Sequence, residues 1–179
     1  MVRHIRLVAA LAVFCAAPLE AAADMPLGAV APGSDPYAAA AARTVRGIME
    51  YARWPQRRDP LVLCVAGPVR HAGQIANWRM ADGRQVQRRN VAANVAGLAG
   101  CDVVYLGQLT VPVQRQLTAA VRGKAVLTIA EADPDNSSEA MFTLTYRPNA
   151  LSFRLNIDAV SRSGMKVDPR VLRVATGGG

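Results

Sequence analysis

Three short apolar runs constrain this chain more than any other feature: Leu61-Val62-Leu63-Cys64-Val65-Ala66, Cys101-Asp102-Val103-Val104-Tyr105-Leu106-Gly107 and Ala125-Val126-Leu127-Thr128-Ile129. Strands that lie buried on both faces read this way, without the polar alternation of a half-exposed sheet. Between the second and third, Thr110 and Pro112 open a helix with Val113, Leu117, Ala120 and Val121 on one face, and Gly123 closes it. Strand–helix–strand order of this kind predicts a parallel sheet with right-handed crossovers.

The flanking segments complete the expected architecture. Asp35-Pro36 supplies an N-cap carboxylate and a proline at the first helical position. Ala41, Val45, Ile48, Met49 and Ala52 follow at helical spacing, and Trp54-Pro55 ends that helix. Gly67-Pro68 ends the first apolar run, and a helix over 69–80 places Ala72, Ile75 and Ala76 inward. Arg84 to Arg89 alternates weakly, as an outer strand does, and Val91 to Leu98 is a short apolar crossover. Residues 131–140 carry Glu131, Asp133, Asp135 and Glu139 among turn formers and read as a solvated loop. Met141–Tyr146 and Ala150–Asn156, joined at Arg147-Pro148-Asn149, form a hairpin at the sheet edge. A short helix closed by Gly164 and a second Asp-Pro start at Asp168-Pro169 finish the chain. The expected fold is one α/β domain, with a mainly parallel central sheet, flanking helices and a C-terminal antiparallel hairpin.

The N-terminus reads as an address. Arg3 and Arg6 precede an apolar stretch from Leu7 to Ala17, and Ala21-Ala22-Ala23 offers small residues for cleavage before Asp24. Residues 1–23 are therefore expected to be a signal peptide, 24–35 a flexible arm and 36–176 the folded domain. Phe14 sits where a lipobox needs a small residue, so Cys15 reads as part of the leader. The whole chain carries a formal charge of +8; losing Arg3, Arg6 and Glu20 with the leader lowers it to +7. Export argues against nucleic acid as the partner of that charge, and scattered arginines are ordinary solvated surface.

Export leaves Cys64 and Cys101. In an oxidising compartment an even pair reads as a disulfide, the alternative being two buried free thiols. Cys64 lies within the first buried strand and Cys101 at the head of the second. Neighbouring strands stand about 4.8 Å apart, within disulfide reach.

Motifs for catalysis are missing. His71 is the only histidine after the leader, no Gly-x-Ser-x-Gly elbow occurs, and neither phosphate-binding glycine motif follows the first strand. His71 reads as a helix-surface residue. The acidic run at 131–139 is interrupted by Pro134 and lacks the turn glycine of a calcium loop. No cofactor or metal is expected, and the chain reads as a binding protein rather than an enzyme. A small-molecule sensor or carrier is the rival, and predicts a polar pocket beyond Gly67 and Gly107, at the carboxyl ends of the strands.

Ile48-Met49-Glu50-Tyr51-Ala52-Arg53-Trp54-Pro55, the first two strand motifs with their terminal Gly67-Pro68 and Gly107, and Val126-Leu127-Thr128-Ile129 together resemble the YfiR family of periplasmic proteins. Phe153-Arg154-Leu155-Asn156-Ile157-Asp158-Ala159-Val160, Ser163-Gly164-Met165 and Pro169-Arg170-Val171-Leu172 extend the likeness, which runs from about Thr44 to Ala175. The resemblance implies a periplasmic repressor that binds the sensor domain of YfiN, an inner-membrane diguanylate cyclase, and that the outer-membrane lipoprotein YfiB sequesters. It implies a homodimer, and it makes Cys64–Cys101 the family's structural disulfide. A second, local disulfide of similar proteins falls on Asn136 and Thr143 here. Arg53, beside Trp54, and Lys166 fall at a corner that resembles a small-ligand site for anionic or aromatic molecules; ordinary surface charge is the competing explanation.

Overall fold

The computed structural model describes residues 35–175. The expected signal peptide, and the expected arm up to residue 34, lie outside the described residues.

In chain order the elements are α1 (Ala38–Tyr51), β1 (Ala52–Arg53), β2 (Leu61–Ala66), β3 (Trp78–Arg79), β4 (Gln85–Val91), β5 (Val103–Leu106), α2 (Val111–Val121), β6 (Leu127–Ala130), β7 (Phe142–Arg147), β8 (Ala150–Leu155), α3 (Ile157–Ser161), β9 (Lys166–Val167) and α4 (Leu172–Ala175). Seven strands form one sheet in the order β3-β4-β2-β5-β6-β7-β8. The five central strands are parallel; β3 and β8 run antiparallel at the two edges. The three apolar runs became the adjacent strands β2, β5 and β6, and the expected edge hairpin is β7–β8, with Arg147 opposite Ala150 and Asn149 at positive φ in the turn.

Because alternate side chains of a strand face opposite sides, the sheet feeds two cores. Leu61, Leu63, Val65, Val103, Tyr105, Leu127 and Ile129 pack with Val45, Ile48 and Met49 of α1. Cys64, Ala66, Val104, Leu106 and Ala130 pack on the other side with Leu117 and Val121 of α2. The second core holds the disulfide. Cys64 and Cys101 are joined with Cα atoms 5.8 Å apart. Arg89 Nη2 lies 3.5 Å and 3.6 Å from the two sulfurs and donates to Ala99 O at 2.8 Å.

Four local expectations are corrected. First, α1 stops at Tyr51, not at Trp54, because Ala52–Arg53 pairs with the distant Lys166–Val167 to make a separate two-stranded sheet. Asp35 does not cap α1; the helix begins after Tyr37, and Asp35 Oδ1 accepts from Tyr37 N at 2.9 Å. Second, residues 69–77 form no helix and lead into β3. The amides of Arg70 and His71 donate to the carboxylate of Glu131, a tertiary partner that outcompetes a helix ladder. Ala72 and Ile75 are buried as expected, but Ala76 is exposed. Third, His71 is buried rather than on a helix surface, and its Nδ1 lies 2.7 Å from Asp35 Oδ1.

The fourth correction concerns residues 131–140. Glu131, Asp133, Ser138 and Ala140 are buried. Asp133 accepts from the backbone of Ser137 and Ser138 at 2.9 and 3.0 Å and from the Ser138 hydroxyl at 2.5 Å. Two buried polar residues of α2 reach into the segment: Gln114 Nε2 donates to Ala132 O at 3.0 Å and Thr118 Oγ1 to Ser138 O at 2.7 Å. The segment is therefore anchored at both ends by buried, hydrogen-bonded residues, while Pro134, Asp135 and Asn136 between them are exposed as expected. Thr143 Oγ1 donates to Asn136 Oδ1 at 3.4 Å, a hydrogen bond at the two positions the resemblance gives to a second disulfide.

Candidate functional site

The carboxyl ends of the parallel strands are where an open α/β sheet ordinarily takes a ligand. Here, among the described residues, the chain's own groups pack closely. Gly67 and Gly107 follow β2 and β5. A side chain at Gly107 would begin 2.0 Å from Pro68 O, and one at Gly67 would meet Leu109 at 2.4 Å. Polar groups do converge beyond these glycines, but on the buried Glu131 at the end of β6. Its oxygens accept from Arg70 N (2.8 Å), His71 N (2.7 Å), Tyr105 Oη (3.0 Å) and Gln108 Nε2 (2.8 Å). Burial, and after it the neighbouring Tyr146 and Glu131, pushes the Tyr105 hydroxyl above its ordinary value, so it stays a donor. The ring of His71 lies 4.3 Å from that of Tyr146 and 5.1 Å from that of Tyr37. Sequence reasoning missed this network. Its one visible signal was an acidic residue directly after a buried strand.

The small β1–β9 sheet forms a different kind of surface. Its register sets Arg53 directly opposite Lys166, so two sequence-selected residues more than a hundred positions apart meet on one ladder. Both are exposed. Among the described residues Arg53 Nη1 donates to two carbonyls, Glu50 O at 2.5 Å and Ala52 O at 3.0 Å. Asp168 N donates to Tyr51 O at 3.0 Å and extends the pairing. Asp168 itself is held down to about 2 by hydrogen bonds from the side chain and backbone of Arg170, with Arg53 adding to the pull.

Beside this ladder a cavity of about 260 Å³ is lined by Arg53, Trp54, Arg57, Asp82 and Arg84, among others. The guanidinium of Arg84 stands 5.4 Å from the centre of the Trp54 ring. Burial opposes ionisation of Asp82, but bonds from Arg84 backbone and side chain outweigh it and lower its pKa. Three arginines against one aspartate leave the lining cationic. Like charges set opposite each other on a strand pair cost stability, so the Arg53–Lys166 pairing is one that a bound anion would relieve. Among the described residues no cluster of three or more His, Cys, Asp or Glu is arranged to hold a metal, and no helix is long and apolar enough to cross a membrane.

Fold and corner together define a class: a small, mostly parallel α/β protein with one disulfide staple, a filled strand-end crevice and a cationic surface corner. The chain belongs to the YfiR/HmsC-like family, whose model matches residues 38–176. That family is one of periplasmic regulators of diguanylate cyclase, regulatory rather than catalytic.

Proposed function

We propose that this protein is a periplasmic repressor of a YfiN-like inner-membrane diguanylate cyclase. It acts as a homodimer, binds the cyclase's periplasmic sensor domain and holds cyclic-di-GMP synthesis down; a YfiB-like outer-membrane lipoprotein sequesters it and lifts the repression. The observation that carries the reading is the match of the family over nearly all of the described chain. The filled crevice around Glu131 favours it over the rival carrier, since the usual ligand position is taken by the protein's own carboxylate. The test is a pulldown with the sensor domain of a YfiN-like cyclase from the same genome, paired with cyclic-di-GMP measurement on co-expression. Retention of the sensor domain and a fall in cyclic-di-GMP are expected. Neither retention nor any change in cyclic-di-GMP would sink the proposal.

The facing of Arg53 and Lys166 supports a second role for the corner, as a site where a small anionic or aromatic molecule tunes repression. Arg53→Ala is expected to weaken that response. Unchanged repression and unchanged ligand binding would leave Arg53 as ordinary surface charge.

A further inference from the structure

A second cleft, of about 370 Å³, opens at the amino edge of the parallel strands, next to the disulfide. Three connections build it: the segment after β1 with Trp54 and Arg58, the turn from Val95 to Asp102 before β5, and the link from α2 to β6. Trp54 and Gln56 line both this cleft and the Arg53 cavity. Arg84, whose guanidinium stands over the indole, lines the Arg53 cavity and not the cleft. The indole is also pinned at its edge, because Nε1 donates to Asp102 O at 3.2 Å. A ring held in this way is a preorganised surface for a flat apolar body.

The rest of the lining is mixed. Leu98, Val121 and Val126 are apolar and buried. Val95 is 46% exposed at the cleft, and no core cluster claims it. The one acid, Asp102, is already satisfied: one oxygen pairs with Arg58 at 3.0 Å and the other accepts from Val62 N at 2.9 Å. Lys124 has no ion-pair partner among the described residues. Two cations against one anion leave a single uncompensated positive charge, at Lys124. Ligand pockets run from about 300 to 1,000 Å³, so the cleft has the size of a small-molecule site.

We propose that this cleft is a binding site, separate from the Arg53 corner, for a small amphipathic monoanion: an aromatic carboxylate whose acid group meets Lys124 and whose ring lies between Trp54 and the apolar side chains of Val95 and Leu98. The test uses the full chain with its disulfide oxidised, followed by amide NMR. It is titrated with 2-naphthoate, with the neutral 2-naphthylmethanol and with the cationic 2-naphthylmethylamine. Naphthoate is expected to shift amides at 95–102 and 120–126 and to bind at least about tenfold more tightly than the other two. K124E, an exposed change that leaves the core intact, is expected to lose that preference; R53A is expected to keep it. Equal binding of the three probes, shifts confined to the Arg53–Lys166 corner, no shifts at all, or K124E binding as tightly as the parent would each overturn the proposal.

Discussion

Two polar regions of this protein are built on opposite rules. At the strand ends, Glu131 is wholly buried and accepts four hydrogen bonds from Arg70, His71, Tyr105 and Gln108. At the β1–β9 corner, Arg53 and Lys166 face each other with no acidic side chain bonded to either among the described residues. A buried charge must be saturated from within, or it unfolds its surroundings. An exposed charge can stay unsaturated, because water serves until a partner arrives. The first region therefore holds the fold, and the second is free to recognise something else.

The largest effect that sharpens this contrast should come from the staple joining β2 to the head of β5, the two strands that lead into the Glu131 network. Replacing Cys64 and Cys101 together with alanine is expected to cost about 4 kcal/mol in the chain-entropy treatment, read as a lowered urea midpoint. Two titratable thiols in the unfolded, unreduced protein would show that no bond is present in solution. Glu131→Ala comes next. It strands two buried donors, His71 N and Tyr105 Oη, and two part-buried ones, and should cost about 3 kcal/mol, with Glu131→Gln losing less because one acceptor remains. If Glu131→Ala is as stable as the parent, the network is not structural and the comparison breaks.

At the corner the expectation reverses. Arg53→Ala and Lys166→Ala should each move stability by no more than about 0.5 kcal/mol, with a small gain the natural sign for relieving like charges. A large loss would make these residues part of the scaffold. The smallest effect is electrostatic. Asp168 is held near 2 against an ordinary 3.8. A carboxylate depressed on folding contributes stability that is complete above its unfolded value and fades as pH falls toward its folded one. The contribution should therefore vanish between about pH 4 and 2, and Arg170→Ala should return the Asp168 titration, followed by carboxyl-carbon NMR, toward the ordinary value.

Much of this fold was legible because its central strands are buried on both faces, so Leu61–Ala66 and Val103–Leu106 show continuous apolar runs. What stayed hidden depended on partners far along the chain. Nothing near Ala52 announces that it will pair with Val167. Residues 69–80 carry helical spacing at Ala72, Ile75 and Ala76, yet the Glu131 carboxylate takes the amides of Arg70 and His71 and the segment follows that bond instead. Asp35 looks like a cap, but its side chain also serves His71. Of the candidate site, the family resemblance alone puts Arg53 and Lys166 at one corner. Their meeting on one ladder, and the contribution of Arg84 and Asp102 to the two cavities, is tertiary information with no local trace.

The bond between Asn136 and Thr143 has a consequence for where this protein can work. A loop closed by sulfur changes shape when the compartment turns reducing. This one is closed by an amide and a hydroxyl, and by the Asp133 carboxylate gripping Ser137 and Ser138. No sulfur takes part in these bonds, so a change in the thiol balance reaches the fold through Cys64–Cys101 and not through this closure.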